Sequence, residues 1–291
     1  MSAPPLPREF ADARGLLDKY GLRAKKSWGQ NFLISTRVYD AIVHTSVRAP
    51  DDFVVEIGGG LGTLTARLAH VASAGRVVVV ERDRDMVDVL RGELGMTENV
   101  EILEQNALEL HYDALFKQAG KPLVVVGNLP YQIASRLIFG MIDARATCAR
   151  MVIMLQKEMA DRVLAAPDTD PYGALGVMIQ TYCDVRGVVK APSAAFYPAP
   201  KVDSAVIQLT PLPGARTREP IDDEKKYSAL VHAAFGQRRK TLKNAMRSRW
   251  DDEAIAAGLA LADIDGVRRG ETLSVAEYAR LSNALAPMRA T

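Results

Sequence analysis

Cysteine is scarce in this chain: Cys148 and Cys183 are the two present among 291 residues. That excludes a disulfide framework and a thiolate metal cluster, and it fits a reducing compartment with both thiols in the core. No apolar run approaches the roughly 18 residues of a membrane span. The first residues, MSAPPLPREFADARGLLDKYGLRAKKS, carry prolines and acids where a secretory signal needs an unbroken apolar stretch. They are not acid-poor, as a transit peptide would be. A cytoplasmic protein without a membrane segment or a metal is the expectation. An excess of one charge is also missing, since 37 Lys and Arg against 35 Asp and Glu leave a net charge of +2. That balance alone names no partner. There is no internal repeat and no low-complexity tract.

What is present is apolar material, 48% of the residues, enough for the cores of two domains. Between Phe53 and Leu209, short valine-rich runs alternate with helical patterns. "FVVEI" (53–57), "RVVVVE" (76–81), "VEIL" (100–103), "LVVVGN" (123–128) and "MVIML" (151–155) are apolar on consecutive positions. Strands covered on both faces read this way, so the sheet is mainly parallel and flanked by helices. Helical spacing marks 61–71, 85–94, 112–118, 134–142, 157–164 and 172–182. Residues 187–190 and 205–209 could close the sheet with antiparallel strands. The fold class is α/β, a doubly wound, mainly parallel seven-stranded sheet, over residues 1–209 with an N-terminal helical arm.

"TPLPGARTREP" (210–220), with three prolines and no periodicity, reads as a linker. Beyond it, over 221–291, the signals are helical. Asp222 is placed to cap a helix running to Phe235, others follow over 238–249 and 252–259, and Ser274 with Glu277 forms a capping box before "YARLSNAL". A small all-helical domain is expected.

"EIGGGLGTLT" sets Gly58, Gly60 and Gly62 between a strand and a helix, where chain reversal and close ligand approach need residues without a Cβ. The spacing is not that of a dinucleotide site, and no phosphate-loop lysine follows. Glu81, at the end of the second strand, is placed for both hydroxyls of a ribose. Asn106 follows the third strand and could meet an adenine edge. These residues describe an adenosine site with an arm over the glycine turn, which suits S-adenosylmethionine better than NAD.

The fourth strand ends in Asn128, Leu129, Pro130 and Tyr131. The exocyclic amine of adenine is a poor nucleophile because its lone pair is delocalised into the ring. Two acceptors, the Asn128 side-chain oxygen and the Leu129 carbonyl, could hold its hydrogens and free the lone pair. Pro130 restricts the residue before it and so fixes that carbonyl. Tyr131 could stack on a base taken out of its helix or loop.

With "KKSWGQNFL" (25–33), "FYPAPKVDSAV" (196–206), "FGQRRKTLKNAM" (235–246) and "VRRGETLSVAEYARLSNAL" (267–285), these motifs resemble the ribosomal RNA adenine dimethyltransferases of the kasugamycin-sensitivity family. The resemblance runs from about Lys19 to Leu285. It implies that Gln30, Asn31 and Leu33 contact the cofactor, that Gly58, Glu81, Asn106 and Asn128 line its pocket, and that Phe196 stacks on the base opposite Tyr131. It further implies dimethylation of two adjacent adenosines near the 3′ end of small-subunit rRNA, within a ribosomal particle. Gly59 stands where proline is common in that family, Asn106 where aspartate is usual, and Gln132 and Ala134 where asparagine and serine are typical. Trp28 is bulkier than that family's pattern leads one to expect.

Arg238, Arg239, Lys240, Lys243 and Arg247 lie together without an acid, and Arg23, Lys25 and Lys26 add to the N-terminal segment. A charge run is most often a solvated helix face; in this context it reads as phosphate binding to rRNA. A monomer is expected. Three other readings stand beside this one: a large-subunit rRNA methyltransferase of the resistance type, an RNA-binding assembly or transcription factor on a methyltransferase scaffold, and, more remotely, a nicotinamide oxidoreductase.

Overall fold

The computed structural model describes residues 13–25, 30–215 and 217–286. Among the described residues nine strands run in chain order: β1 (Phe32–Leu33), β2 (Phe53–Ile57), β3 (Arg76–Glu81), β4 (Val100–Glu104), β5 (Leu123–Asn128), β6 (Cys148–Gln156), β7 (Cys183–Ala191), β8 (Phe196–Tyr197) and β9 (Ser204–Pro211). Seven form one sheet in the order β4-β3-β2-β5-β6-β9-β7. The first five in that order are parallel, and β9 is antiparallel to β6. The mainly parallel doubly wound sheet expected from consecutive valines is therefore present. Val54, Val77 and Val124 are fully buried because helices cover both faces.

Strand order reverses between β2, which leads to β3, and its other neighbour β5. In open α/β sheets that switch point leaves a crevice at the carboxyl ends of the strands. The glycine turn after β2 and the tetrapeptide after β5 both fall there. A separate two-stranded pair, β1 with β8, sets Leu33 opposite Phe196 and Phe32 opposite Tyr197. This pair was not legible in the sequence, because its halves are short and lie more than a hundred residues apart.

The described residues form two compact units, those within 1–160 and 186–211, and those within 161–185 and 212–291. The helical unit thus takes in 161–185 besides the segment after the proline-rich linker. Its core explains why. The Tyr172 hydroxyl donates to the Leu273 carbonyl at 2.9 Å, and the hydroxyls of Thr181 and Tyr227 meet at 2.7 Å. Trp250, Tyr227 and Tyr278 are buried within the same unit.

Asp223, one residue later than expected, caps the helix Glu224–Gly236 by accepting from the N–H groups of Lys225 and Lys226. The long helix expected over 238–249 is instead a turn followed by the short helix Leu242–Met246. The N–H groups of Leu242 and Lys243 donate to the carbonyls of Arg268 and Gly266, so no preceding helical turn can use them. The capping box of Ser274 and Glu277 forms as expected before Val275–Ala284.

Candidate active site

The turn after β2 depends on glycine. Gly58 and Gly60 have φ of +77° and +53°, in the left-handed region that side chains rarely adopt. Gly59 has a different constraint, since a Cβ there would lie 2.3 Å from the Val79 side chain. The proline common at that position in the resembling family has no room here. Gly127, which interrupts the valines of β5, sits against the Ile57 carbonyl, which an added Cβ would meet at 2.8 Å. Close approach of β5 to β2 thus ends the valine run and brings Asn128 to the crevice.

Two adjoining cavities of about 170 and 370 Å³ share Gly58, Glu81 and Pro130. The first is bounded by Gln30, Asn31, Leu33, Gly60, Asn128 and Tyr131, among others. The second is bounded by Gln105, Asn106, Gln132, Ile133 and Leu137, among others. Glu81 stands at their junction. Its Oε2 accepts from the Gly60 N–H at 2.9 Å and its Oε1 from the N–H groups of Arg82 and Asp83, so the carboxylate is fixed in direction with lone pairs to spare. The Asn106 oxygen accepts from the Leu108 N–H and its amide donates to Glu109, so it also shapes the turn bordering the second cavity.

The Asn128 Nδ2 donates to the Asn31 carbonyl at 3.4 Å, which assigns the other end of the amide, Oδ1, as the available acceptor. The Leu129 N–H donates to the Met154 carbonyl at 3.2 Å, which fixes the Asn128–Leu129 peptide, one unit before the Leu129 carbonyl. The Tyr131 hydroxyl pairs with the buried Ser204 Oγ at 3.0 Å, so its ring is held at both ends.

Phe196 is placed differently from the expected stacking position. It is 3% exposed and packs in the core with Leu33, Val38 and Tyr39, because β8 pairs with β1. Its ring must leave that core before it can touch a base. Lys25 is also differently engaged: its ammonium pairs with Asp83 and Asp85, both at 2.7 Å. The Gln30 Nε2 joins the same Asp83 at 2.7 Å, and its Oε1 accepts from the Lys25 N–H. These contacts tie the segment before β1 to the rim of the first cavity, and they raise the Lys25 pKa, Asp83 contributing most.

Arg23 is exposed, and Lys26 lies outside the described residues. Arg239, Lys240 and Lys243 are exposed on the turn and short helix of the helical unit. Arg238 donates to the carbonyls of Asp170 and Tyr172, and Arg247 forms a fork with Asp252. Both of these are engaged within their own unit.

Sequence reading passed over one group at the site. Glu56, inside β2, is 1% exposed, borders the first cavity, and has no hydrogen-bond partner for its Oε2. Burial pushes its pKa up to about 8, with Glu81 adding to the rise and the nearby Thr65 hydroxyl opposing it. The signal was a single acid in the otherwise apolar "FVVEI". Among the described residues no cluster of His, Cys, Asp or Glu could hold a metal ion, and no helix is long and apolar enough to cross a membrane.

The residues fit an S-adenosylmethionine molecule. The bare glycines accept close approach, Glu81 presents a fixed carboxylate for a ribose, and the orphaned Glu56 oxygen would meet the ammonium of an amino-acid arm.

Residues 21–287 match the family model for ribosomal RNA adenine dimethylase. The ribosomal RNA small subunit methyltransferase A of Anaeromyxobacter sp. (strain K) is 44% identical over 286 residues, covering 95% of this chain and 98% of that protein. The protein of the same name from Alkaliphilus metalliredigens is 40% identical over 278 residues, covering 94% and 96%. Among solved structures, the 23S rRNA methyltransferase ErmE superposes with a TM-score of 0.67 at 25% identity, covering 88% of this chain and 99% of that one. A dimethyladenosine transferase from Plasmodium falciparum superposes with 0.69 at 23% identity, covering 86% and 95%, and attests the fold.

Proposed function

Since the chain belongs to the ribosomal RNA adenine dimethylase family, whose members methylate rRNA adenine with S-adenosylmethionine, we propose that it dimethylates two adjacent adenosines near the 3′ end of small-subunit rRNA during assembly of the cytoplasmic subunit. The observation that carries this reading is the shared cavity, which brings the glycine turn and Glu81 together with Asn128, Leu129 and Tyr131.

S-adenosylmethionine, when bound, supplies an electrophilic methyl group on its sulfonium. The chain's part is to position and activate the amine. Glu81 holds a ribose by its fixed carboxylate. Tyr131, anchored through Ser204, offers its ring to a base taken out of the RNA. Asn128 Oδ1 and the Leu129 carbonyl accept one amino hydrogen each. Holding both hydrogens draws the nitrogen towards tetrahedral geometry and localises its lone pair for attack. These contacts strengthen as the amine becomes tetrahedral, so they favour the transition state over the ground state. A monomethylated amine retains one hydrogen for an acceptor, and a dimethylated amine retains none, which favours release after the second transfer.

The test is to incubate the protein with labelled S-adenosylmethionine and small-subunit particles lacking the modification, then map the label. Two dimethylated neighbouring adenosines near the 3′ end are the expected product. Label in large-subunit RNA instead would favour the resistance-type reading, and cofactor binding without transfer would favour an assembly factor.

A further inference from the structure

A second concentration of charge lies at the other ends of the strands. Arg48 precedes β2, Arg150 lies on β6 and Arg186 on β7; the Arg150 side chain bonds Asp52, and those of Arg48 and Arg186 bond Gln208. Arg150 is 7% exposed; its Nε donates to the Ser46 carbonyl at 2.6 Å and its Nη2 pairs with Asp52. The same Asp52 oxygen accepts from the N–H groups of Arg48 and Ala49 at 2.8 and 3.2 Å. That oxygen, Asp52 Oδ2, is thereby taken up. The neighbouring Asp51 is paired with Lys121.

Arg48 and Arg186, both exposed, share a neutral acceptor. Arg186 donates to the Gln208 Oε1 through Nε and Nη2 at 3.0 and 2.6 Å, and Arg48 through Nη2 at 3.5 Å. Gln208 is itself buried, and its Nε2 donates to the Thr210 hydroxyl at 2.6 Å, which keeps the oxygen on the arginine side. A neutral oxygen gathers two like charges without cancelling either. Each guanidinium has five N–H donors, so both retain donors for a further acceptor. Arg150 alone pairs its guanidinium with the Asp52 carboxylate, while those of Arg48 and Arg186 share the neutral Gln208 oxygen, and the arrangement favours an anion with several oxygens, to which the planar guanidinium fork is matched.

We propose that Arg48 and Arg186 form a second contact for the phosphate backbone of ribosomal RNA, remote from the reacting base. The inference rests on rRNA being the substrate. Its place in the fold argues for a polymer. Arg150 pairs with Val124 at the start of β5, and Asn128 pairs with Met154 at the far end of the same ladder. At roughly 3.3 Å per residue the two ends are some 13 Å apart along the strands, with the sheet between them. The cofactor and the extruded base occupy one end, while a folded RNA presents phosphates over a much longer span.

The test measures binding to small-subunit particles lacking the modification, and to the isolated 3′ portion of their rRNA, across a range of salt. Changing Arg48→Gln together with Arg186→Gln should weaken both and flatten the log–log salt slope by about 0.7 to 0.9 for each phosphate no longer neutralised. Changing both to Lys should restore most of the slope, because the charge remains. The cofactor dissociation constant and the unfolding midpoint should match the parent's. An unaltered slope overturns the proposal, as does weaker binding with an unaltered slope and a lowered midpoint, which makes the cluster structural. Weaker binding to particles alone, with the isolated rRNA unaffected, assigns the surface to a ribosomal protein and overturns the RNA contact. Saturable binding of inorganic phosphate that the Gln variants abolish, with particle binding intact, leaves a free-anion site and also overturns it. Failure of the parent protein to methylate rRNA would count against the proposed function, whereas the salt slopes report on this surface alone.

Discussion

Replacing Glu56 with Gln tests whether the buried carboxyl of β2 is neutral until a cation reaches it. Its folded pKa is about 8 against 4.5 in water, and burial is the main cause. Below pH 4.5 the native and unfolded chains both hold the proton, and the group contributes nothing to pH dependence. Between 4.5 and 8 the unfolded chain ionises while the native chain stays protonated. The unfolded state then binds fewer protons, so native stability falls as pH rises. Each pH unit in that window is worth about 1.36 kcal/mol. Between pH 5 and 7.5 the loss comes to about 3 kcal/mol. The glutamine variant lacks this proton, and whatever its amide costs in the same site is independent of pH. Urea unfolding of both cofactor-free proteins at stepped pH gives the difference, stability of parent minus stability of variant. It should fall by about 3 kcal/mol over that range. A second readout follows from the cavity: a cofactor ammonium beside Glu56 favours the ionised form, so binding near pH 7 should release up to about one proton from the parent and none from the variant. Calorimetry in buffers of different ionisation heat measures this. A stability difference that stays flat from pH 5 to 8 would refute the reasoning, because the carboxyl would then be titrating as it does in water.

Glu81→Ala should weaken cofactor binding by one to two decades, roughly the loss of one or two hydrogen bonds to a charged acceptor, and an unchanged dissociation constant by calorimetry would remove the ribose assignment. Lys25→Ala unties the segment before β1 from Asp83 and Asp85; cofactor dissociation followed by stopped flow should accelerate severalfold, with the unfolding midpoint held. Tyr131→Phe and Ser204→Ala delete the same hydrogen bond, so each should slow single-turnover methylation by up to about tenfold. The double variant should be no slower than either alone, and additive losses would mean the two do not act through each other. Asn128→Ala should lower the single-turnover rate by roughly a hundredfold or more, about 3 kcal/mol, by analogy with a lost oxyanion-hole donor. A base labelled with 2-aminopurine should still be extruded in that variant, and methylation at the parent rate would sink the acceptor role.

The parts of this molecule that were legible in its sequence are those that local chemistry dictates. Five apolar runs read as strands and the sheet contains all five; four are buried as expected, the last of them starting three residues earlier, while Val100–Glu104 is a half-exposed edge strand. Glycines at Gly58 and Gly60 announced a turn whose positive φ values bear out the need for them. Asn128 ends β5 and Leu129 and Pro130 follow it, as the sequence indicates, while the strand order that sets them beside the glycine turn comes from the structure. What was not legible depends on partners distant in the chain. Lys25 reads as one of a basic trio until Asp83, 58 residues on, is seen to hold it. Phe196 reads as a base-stacking ring until β8 is found paired with β1, which no periodicity over two residues can announce. The run 238–249 has helical composition, yet carbonyls of Gly266 and Arg268 take the N–H groups that a longer helix would need.

Glu56 and Gly59 show how the two kinds of information combine. A glutamate within "FVVEI" and a glycine where the resembling family favours proline both look like local departures. Glu56 borders the cavity with an oxygen unpaired, so its misfit with the apolar strand becomes sensible only when a cationic ligand is considered. Natural sequences break local rules mainly where function compensates, and a lone acid in a buried strand is such a break. Gly59 differs, because Val79 fills the space its side chain would need and no ligand enters the explanation. A sequence pattern alone cannot separate these cases. The surroundings do: an unsatisfied polar atom facing a cavity points to a ligand, whereas a methyl group 2.3 Å from a missing Cβ points to packing.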